Sequence, residues 1–229
     1  MSTRTDASIE GSVQVWWGTP AEPNTAVLGL LDDAEQARHL RLRRPEDRAA
    51  HATAHALLRL VLGRLLDRPP ASIRLDRTCP ECGADHGKPR LIGGGLEFSL
   101  THSRGRVGIA VATVPVGIDV EDLSRLRPDP ALEAETLTPG ERKLLDGLDP
   151  ADRAAGFLRL WTRKEAMLKA SGKGLTVPLR EVPADSLAAP AGGPQLWDLD
   201  PGPGFVGALA AESAVALSVR QRETDDLLA

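Results

Sequence analysis

Three polar clusters in this chain have the residue types and spacing to do chemistry. The first is Val116-Gly117-Ile118-Asp119-Val120-Glu121. Side chains two apart on a strand share a face, so Asp119 and Glu121 project together while Ile118 and Val120 turn to the core. Paired carboxylates repel unless a cation lies between them. Hard oxygen donors of this kind suit Mg²⁺, which takes one or two carboxylates together with phosphate oxygens and water. The second cluster is Trp161-Thr162-Arg163-Lys164-Glu165-Ala166-Met167-Leu168-Lys169, followed by Ser171-Gly172-Lys173-Gly174. On a helix Trp161, Glu165 and Lys169 form one stripe. Glu165 and Lys169 have the spacing of a surface ion pair worth roughly 0.3–0.5 kcal/mol, but Trp161 on the same stripe marks that face as packed or lining a cleft. The third is Gly87-Lys88-Pro89, ahead of Phe98-Ser99-Leu100-Thr101-His102-Ser103. A lysine between Gly and Pro sits on a stiff loop that can approach a phosphate, and Thr101, His102 and Ser103 would offer donors just past a strand end. Each cluster alone has an ordinary structural explanation: an acidic solvated strand, a surface ion pair, a turn beside a strand-end histidine.

The elements that must position these groups are readable in outline. Val13–Trp17 reads as a short strand after a disordered start. Helical spacing runs from about Asp33 to Leu42 and from Glu46 to Leu66, where Leu57, Leu58, Val61, Leu62, Leu65 and Leu66 make an apolar stripe ended by Pro69-Pro70. Residues from Cys79 to Gly95 read as a loop-rich stretch. Strands follow near Leu96–Leu100, Val107–Thr113 and Val116–Glu121. Thr138-Pro139-Gly140-Glu141 has the form of a capping box with proline in the first turn. A further helix starts after Asp149-Pro150 and ends at Gly172. Phe205–Ala211 and Val215–Arg220 alternate like a hairpin. This order predicts an α+β fold with a seam near Pro115, dividing the chain into lobes 1–115 and 116–229.

Composition narrows the class. A chain of 229 residues with 41% hydrophobic and 26% charged content can bury a substantial core, although aromatics make up only 3% of it. A net charge of −4 argues against a general nucleic-acid binder, even though Arg38, Arg41, Arg43, Arg44 and Arg48 crowd one segment. No apolar run is long enough to span a bilayer, and the first residues lack the core of a signal peptide. Cys79 and Cys82 are too close in sequence to staple the fold, so a cytoplasmic location is expected.

In order, the segments G-K-P, F-S-L-T-H-S, G-I-D-V-E and W-x-x-K-E-A-x-x-K-x-x-G resemble the 4'-phosphopantetheinyl transferase superfamily. The two-lobed Sfp type fits, and the small trimeric type does not. The resemblance covers about residues 30 to 180, with its signature between Gly87 and Gly174. It implies a pseudo-dimer of two similar α+β lobes with the active site between them, which acts as a monomer. It also implies transfer of phosphopantetheine from coenzyme A to a serine of an acyl or peptidyl carrier protein in polyketide or nonribosomal peptide biosynthesis. Asp119, Glu121 and Glu165 would hold Mg²⁺. Glu165 would serve as base, and Lys169 would stabilise the departing 3',5'-ADP. Lys88, Thr101 and His102 match positions that grip the coenzyme A phosphates, with Arg43 and Arg44 as the basic pair before them. Lys164 would touch the same phosphates or, alternatively, hold the helix. His51 and His55 stand where relatives often carry arginine, which makes Arg48 an alternative to His51 as phosphate ligand.

Cys79, Cys82 and His86 have the spacing to supply three zinc ligands, with His102 or another residue as a fourth. A lone Cys-x-x-Cys is weak, and the favoured expectation is a metal-free loop. Two competing readings follow from the residues. One is a zinc-stabilised module engaging nucleic acid or an acidic partner through Arg38–Arg48, which leaves the Asp119/Glu121 and Glu165/Lys169 sets without a purpose. The other is a different Mg²⁺-dependent nucleotide or phosphate enzyme; the absence of a GxxxxGK[ST] loop counts against a P-loop enzyme.

Overall fold

Strand β1 (Ser12–Gly18) is buried along its whole length, and its alternation explains the architecture. Val13, Val15 and Trp17 join one apolar cluster and Trp16 another, so the strand is covered on both faces. The structure is a computed structural model that describes residues 9–124, 129–185, 193–224 and 227. Most of the expected disordered start, residues 1–8, lies outside the described residues.

Two sheets face each other. The first has the order β4 (Glu97–Ser103), β5 (Arg106–Ala112), β1 and β9 (Ser218–Glu223); the second has β6 (Val116–Asp122), β8 (Phe205–Ala211) and β7 (Gln195–Leu199). Val13, Val15, Ala110 and Ala112 of the first sheet pack against Val116, Ile118, Val120, Leu209 and Ala211 of the second. The outer face of the first sheet, with Val107, Ile109 and Val111, receives the leucine stripe of helix α3 (Pro45–Leu66). The outer face of the second, with Ala208 and Ala210, receives Ala166 and Ala170 of helix α6 (Pro150–Ser171). The result is a four-layer α–β–β–α stack, an α+β fold with a 22-residue helix on either side. Short helices α1 (Thr25–Leu28) and α2 (Asp33–Arg41) precede α3, while α4 (Pro130–Thr136) and α5 (Pro139–Asp146) precede α6.

Local signals set the helix ends. Thr138 Oγ1 accepts from the Glu141 N–H at 3.2 Å and Glu141 Oε2 accepts from the Thr138 N–H at 2.8 Å, the expected capping box. Gly172, at φ 70°, ends α6 in the left-handed region that glycine enters without penalty.

Two expectations need correction. The stretch after Cys79 is not all loop: β2 (Leu75–Thr78) and β3 (Asp85–Leu91) form a separate two-stranded sheet. Pro89 is tolerated there because a two-stranded sheet is all edge. The C-terminal strands do not form a hairpin either. Both edges of β8 are taken, by β6 and β7, so β9 crosses to the first sheet and runs parallel to β1. The chain switches sheets at Pro115, between β5 and β6, and returns to the first sheet through β9.

Candidate active site at the junction of the two sheets

The edge strand of each sheet, β4 and β6, lie side by side without a backbone ladder. Alternate hydroxyls of β4 join them instead. The Ile118 N–H donates to Ser99 Oγ at 3.2 Å and the Val120 N–H to Thr101 Oγ1 at 3.3 Å. Ser103 Oγ donates to Glu121 Oε2 at 3.4 Å. The i, i+2, i+4 spacing of Ser99, Thr101 and Ser103 puts all three on one face, a regularity visible in the sequence whose use was not.

Asp119 lies at the centre of this junction, 6% exposed. Its Oδ1 accepts from Thr101 Oγ1 at 3.0 Å and from Lys169 Nζ at 2.6 Å, and Lys169 also donates to the Ile118 carbonyl at 3.0 Å. Its Oδ2 is buried and has no hydrogen-bond partner among the described residues. Lys169 therefore pairs with Asp119 on the strand beneath its helix and not simply with Glu165 along that helix. Burial pushes the Glu165 carboxyl above the usual carboxylate range and the neighbouring Asp119 adds to that, while Lys169 opposes it.

The close approach of α6 to β6 makes this geometry possible. A Cβ on Gly117 would lie 2.0 Å from the Ala166 carbonyl oxygen and 2.4 Å from the Ala170 nitrogen, so only glycine admits the helix at this distance. Trp161, one turn before Glu165, is half-buried against Phe157, their ring centroids 6.2 Å apart, which fits the packed stripe expected of that face.

The three carboxylates do not converge fully. Oxygens of Asp119, Glu121 and Glu165 do not all come within 4.8 Å of one another, and Glu121 leans toward Ser103. The donor set nonetheless fits a hard divalent cation. A buried oxygen of Asp119 lacks a partner, and burial and the nearby Asp119 charge both disfavour the ionised form of Glu165, two costs that a cation placed between them would relieve.

His102 lies within electrostatic reach of Lys169, and of Arg38 and His55 on the other side. His102 has an open rim, yet crowding by the protein holds its imidazole below the ordinary range, with His55, Lys169 and Arg38 adding to the shift. Arg43 and Arg44, just ahead of α3, and Arg48, in its first turn, are exposed. Arg38, which the motif reading left out of the ligand set, is the member of this segment whose charge reaches both His51 and His102. Lys88 Nζ donates to the carbonyls of Val116 at 3.0 Å and Ala170 at 3.1 Å, bridging β3 to the second half of the chain. Burial pushes its ammonium below the ordinary lysine range.

Two expected ligands are placed otherwise. Lys164 is fully buried and its Nζ is engaged by Glu141 Oε2 at 2.7 Å and by the carbonyls of Leu179 and Val182 at 3.0 and 2.7 Å. It holds the segment after α6 to the helix and does not face a phosphate. His51 is 2% exposed, packed against His55 with the rings tilted by 45° and their centroids 4.5 Å apart, and neither ring nitrogen is hydrogen-bonded among the described residues. Burial first, then the charges of His55, Arg38, His102 and His39, push its imidazole down to about 3. It is neutral at physiological pH and supplies no positive charge. His55 itself pairs with buried Glu35 at 2.8 Å, a structural use that the sequence did not reveal.

Acids and a lysine thus gather where the two sheets meet, and comparison with known proteins gives the class of the chain. The family model of the 4'-phosphopantetheinyl transferase superfamily matches residues 115–203. A putative 4'-phosphopantetheinyl transferase of Synechocystis sp., slr0495, is 34% identical over 69% of this chain and 64% of its own length. The 4'-phosphopantetheinyl transferase HetI of Nostoc sp. is 31% identical over 73% of this chain and 71% of its own. Sfp of Bacillus subtilis is 26% identical over 69% of this chain and 67% of its own. The chain belongs to the 4'-phosphopantetheinyl transferase superfamily.

Proposed function

We propose that this protein transfers the 4'-phosphopantetheine group of coenzyme A to a serine of an apo carrier protein, releasing 3',5'-ADP. The observation that carries the reading is the Asp119–Glu165–Lys169 cluster, with one Asp119 oxygen buried and unsatisfied in a chain of this superfamily. Asp119, Glu165 and Glu121 would hold Mg²⁺, Glu121 joining from the same face of β6 by turning away from Ser103. Bound there, Mg²⁺ supplies charge neutralisation and Lewis-acid polarisation of the coenzyme A pyrophosphate.

The chain's own groups account for the rest. The serine oxygen attacks the phosphorus bearing the pantetheine arm, and the bond from that phosphorus to the bridging oxygen breaks. Glu165 takes the serine proton; a carboxylate whose pKa is raised toward neutrality is a better base than an ordinary one. Lys169, oriented by Asp119 and the Ile118 carbonyl, stabilises the negative charge gathering on the departing 3',5'-ADP. Arg38 and His102, with exposed Arg43, Arg44 and Arg48 nearby in sequence, supply the basic wall for the remaining phosphates. Lys88 and Thr101 act by position: Lys88 ties the two halves together and Thr101 fixes Asp119.

Both sheets and the whole junction come from one chain, which supports action as a monomer. No helix among the described residues is long and apolar enough to cross a membrane. Exposed Leu144 and Leu148, near the α5–α6 turn, suit the apolar part of a carrier docking surface. Carriers of polyketide or nonribosomal peptide assembly in the cytoplasm are the intended partners.

The test is mass spectrometry of an apo carrier protein incubated with coenzyme A, Mg²⁺ and this protein. A gain of one phosphopantetheine mass, lost with Asp119→Ala, with Glu165→Ala and with chelator, is expected. No gain across acyl, polyketide and peptidyl carriers overturns the proposal.

A further inference from the structure

The tip of the β2–β3 hairpin carries a side-chain set that phosphopantetheine transfer leaves unused. Cys79 and Cys82 are both free thiols, and His86 follows on β3. The backbone between them is wound around the first sulfur. The Gly83 N–H donates to the Cys79 carbonyl at 2.9 Å, the Cys79 N–H donates to the Ala84 carbonyl at 2.8 Å, and Gly83 takes φ +73° to close the turn.

The three side chains converge. One ligand atom from each of Cys79, Cys82 and His86 lies within 4.8 Å of the others, and Cys82 Sγ is 3.0 Å from His86 Nε2. A tetrahedral zinc ion, with Zn–S about 2.3 Å and Zn–N about 2.0–2.1 Å, has ligand-to-ligand edges of about 3.6–3.8 Å. The set is therefore close to a coordination shell before an ion enters. A thiol–imidazole hydrogen bond or a disulfide would need only two of these groups and gives no reason for the third. Two thiols and an imidazole are soft or borderline donors, which select zinc over the hard magnesium suited to the carboxylate site.

The surroundings show what an ion would do here. The β2–β3 sheet has two strands and a break in register between Asp76 and Thr78, and such a sheet is marginal without a staple. Gly87, next to His86, is pressed so closely on the partner strand that a Cβ would lie 2.8 Å from the Thr78 carbonyl oxygen and 3.0 Å from Cys79 Cα. Lys88 follows and spans to Val116 and Ala170. Movement at the hairpin tip thus passes directly to Lys88.

We propose that Cys79, Cys82 and His86 bind one structural Zn²⁺, completed by a water molecule, which staples the β2–β3 hairpin and so fixes Lys88. Binding converts two thiols to thiolates and releases their protons to solvent, with no redox change.

The test uses the full chain purified without chelator. Elemental analysis is expected to find about one zinc per chain, falling below about 0.2 in Cys82→Ser. Titration of chelator-treated protein with CoCl₂ is expected to give a sulfur-to-cobalt charge-transfer band that saturates at one equivalent and is abolished by ZnCl₂. Hydrogen exchange across residues 85–91 should quicken on zinc removal. Zinc near zero in the wild type, without a charge-transfer band on cobalt addition, overturns the proposal. A Cys79–Cys82 disulfide in freshly purified protein, or equal zinc in wild type and Cys82→Ser, does the same. If Cys82→Ser fails to fold, the wild-type cobalt titration decides. None of these readouts depends on transfer activity, so this proposal can fail or stand separately from the proposed function.

Discussion

Replacing Gly117 by alanine adds one methyl group at the most crowded of the described glycines. The new Cβ would lie 2.0 Å from the Ala166 carbonyl oxygen, 2.4 Å from the Ala170 nitrogen and 2.9 Å from Lys169 Cβ. Non-bonded contact requires more than 3 Å, so α6 must withdraw by about 1 Å. The nearest obstacles are backbone atoms of a packed helix, and no side-chain rotation relieves them. Overpacking typically costs about 1–3 kcal/mol, and the upper end applies here. For a chain of this size that is a fall in Tm of roughly 6–12 °C. The same withdrawal carries Glu165 and Lys169 away from Asp119, and a misplacement of about 1 Å can lower a rate on the order of 100-fold. Urea denaturation and initial rates of carrier modification measure the two effects. Gly140→Ala is the control, since its Cβ would meet nothing nearer than 3.9 Å. A Gly117→Ala protein within about 0.5 kcal/mol of wild type that transfers at the wild-type rate refutes the claim that α6 is seated on this glycine.

Lys164→Met leaves Glu141, itself fully buried, without its cation. A loss of about 3–5 kcal/mol in stability is expected, with KM for coenzyme A unchanged in the folded fraction; a KM raised tenfold would return Lys164 to the phosphates. Thr101→Val preserves shape but removes the donor to Asp119 and the acceptor for the Val120 N–H, at a cost of about 1–3 kcal/mol. Thr101→Ser should recover most of that in the same denaturation experiment. His51 titrates at about 3 in the folded chain against an ordinary 6.5, so between those values the unfolded state binds one more proton and stability falls as pH falls. His51→Gln should reduce the slope of unfolding free energy against pH by about 1.4 kcal/mol per unit between pH 4.5 and 6. An unchanged slope would mean that His51 is not held neutral.

The long elements were legible because their signals are local. The leucine stripe of α3, the capping box at Thr138 and the terminating Gly172 appear where spacing and turn chemistry put them. Strand β3 was not legible, since Gly87 and Pro89 read as loop residues and its partner is a short strand with a break in register. The partner of β9 was not legible either, because a parallel pairing with β1 across the whole chain leaves no mark on either segment.

The same division runs through the site. Strand and helix periodicity alone determined that Asp119 and Glu121 share a face and that Glu165 and Lys169 share a stripe, while the order of the motifs carried the resemblance to the transferase superfamily. Only the tertiary structure decided where each charge finds its partner. Lys164 and Lys169 are both lysines of α6, yet one closes on buried Glu141 and the other reaches Asp119 on β6. His51 stands where the resemblance places a phosphate ligand, yet it has the surroundings of a core residue. Periodicity is set by a few neighbours along the chain, whereas desolvation and charge pairing depend on distant segments that meet only in the folded protein.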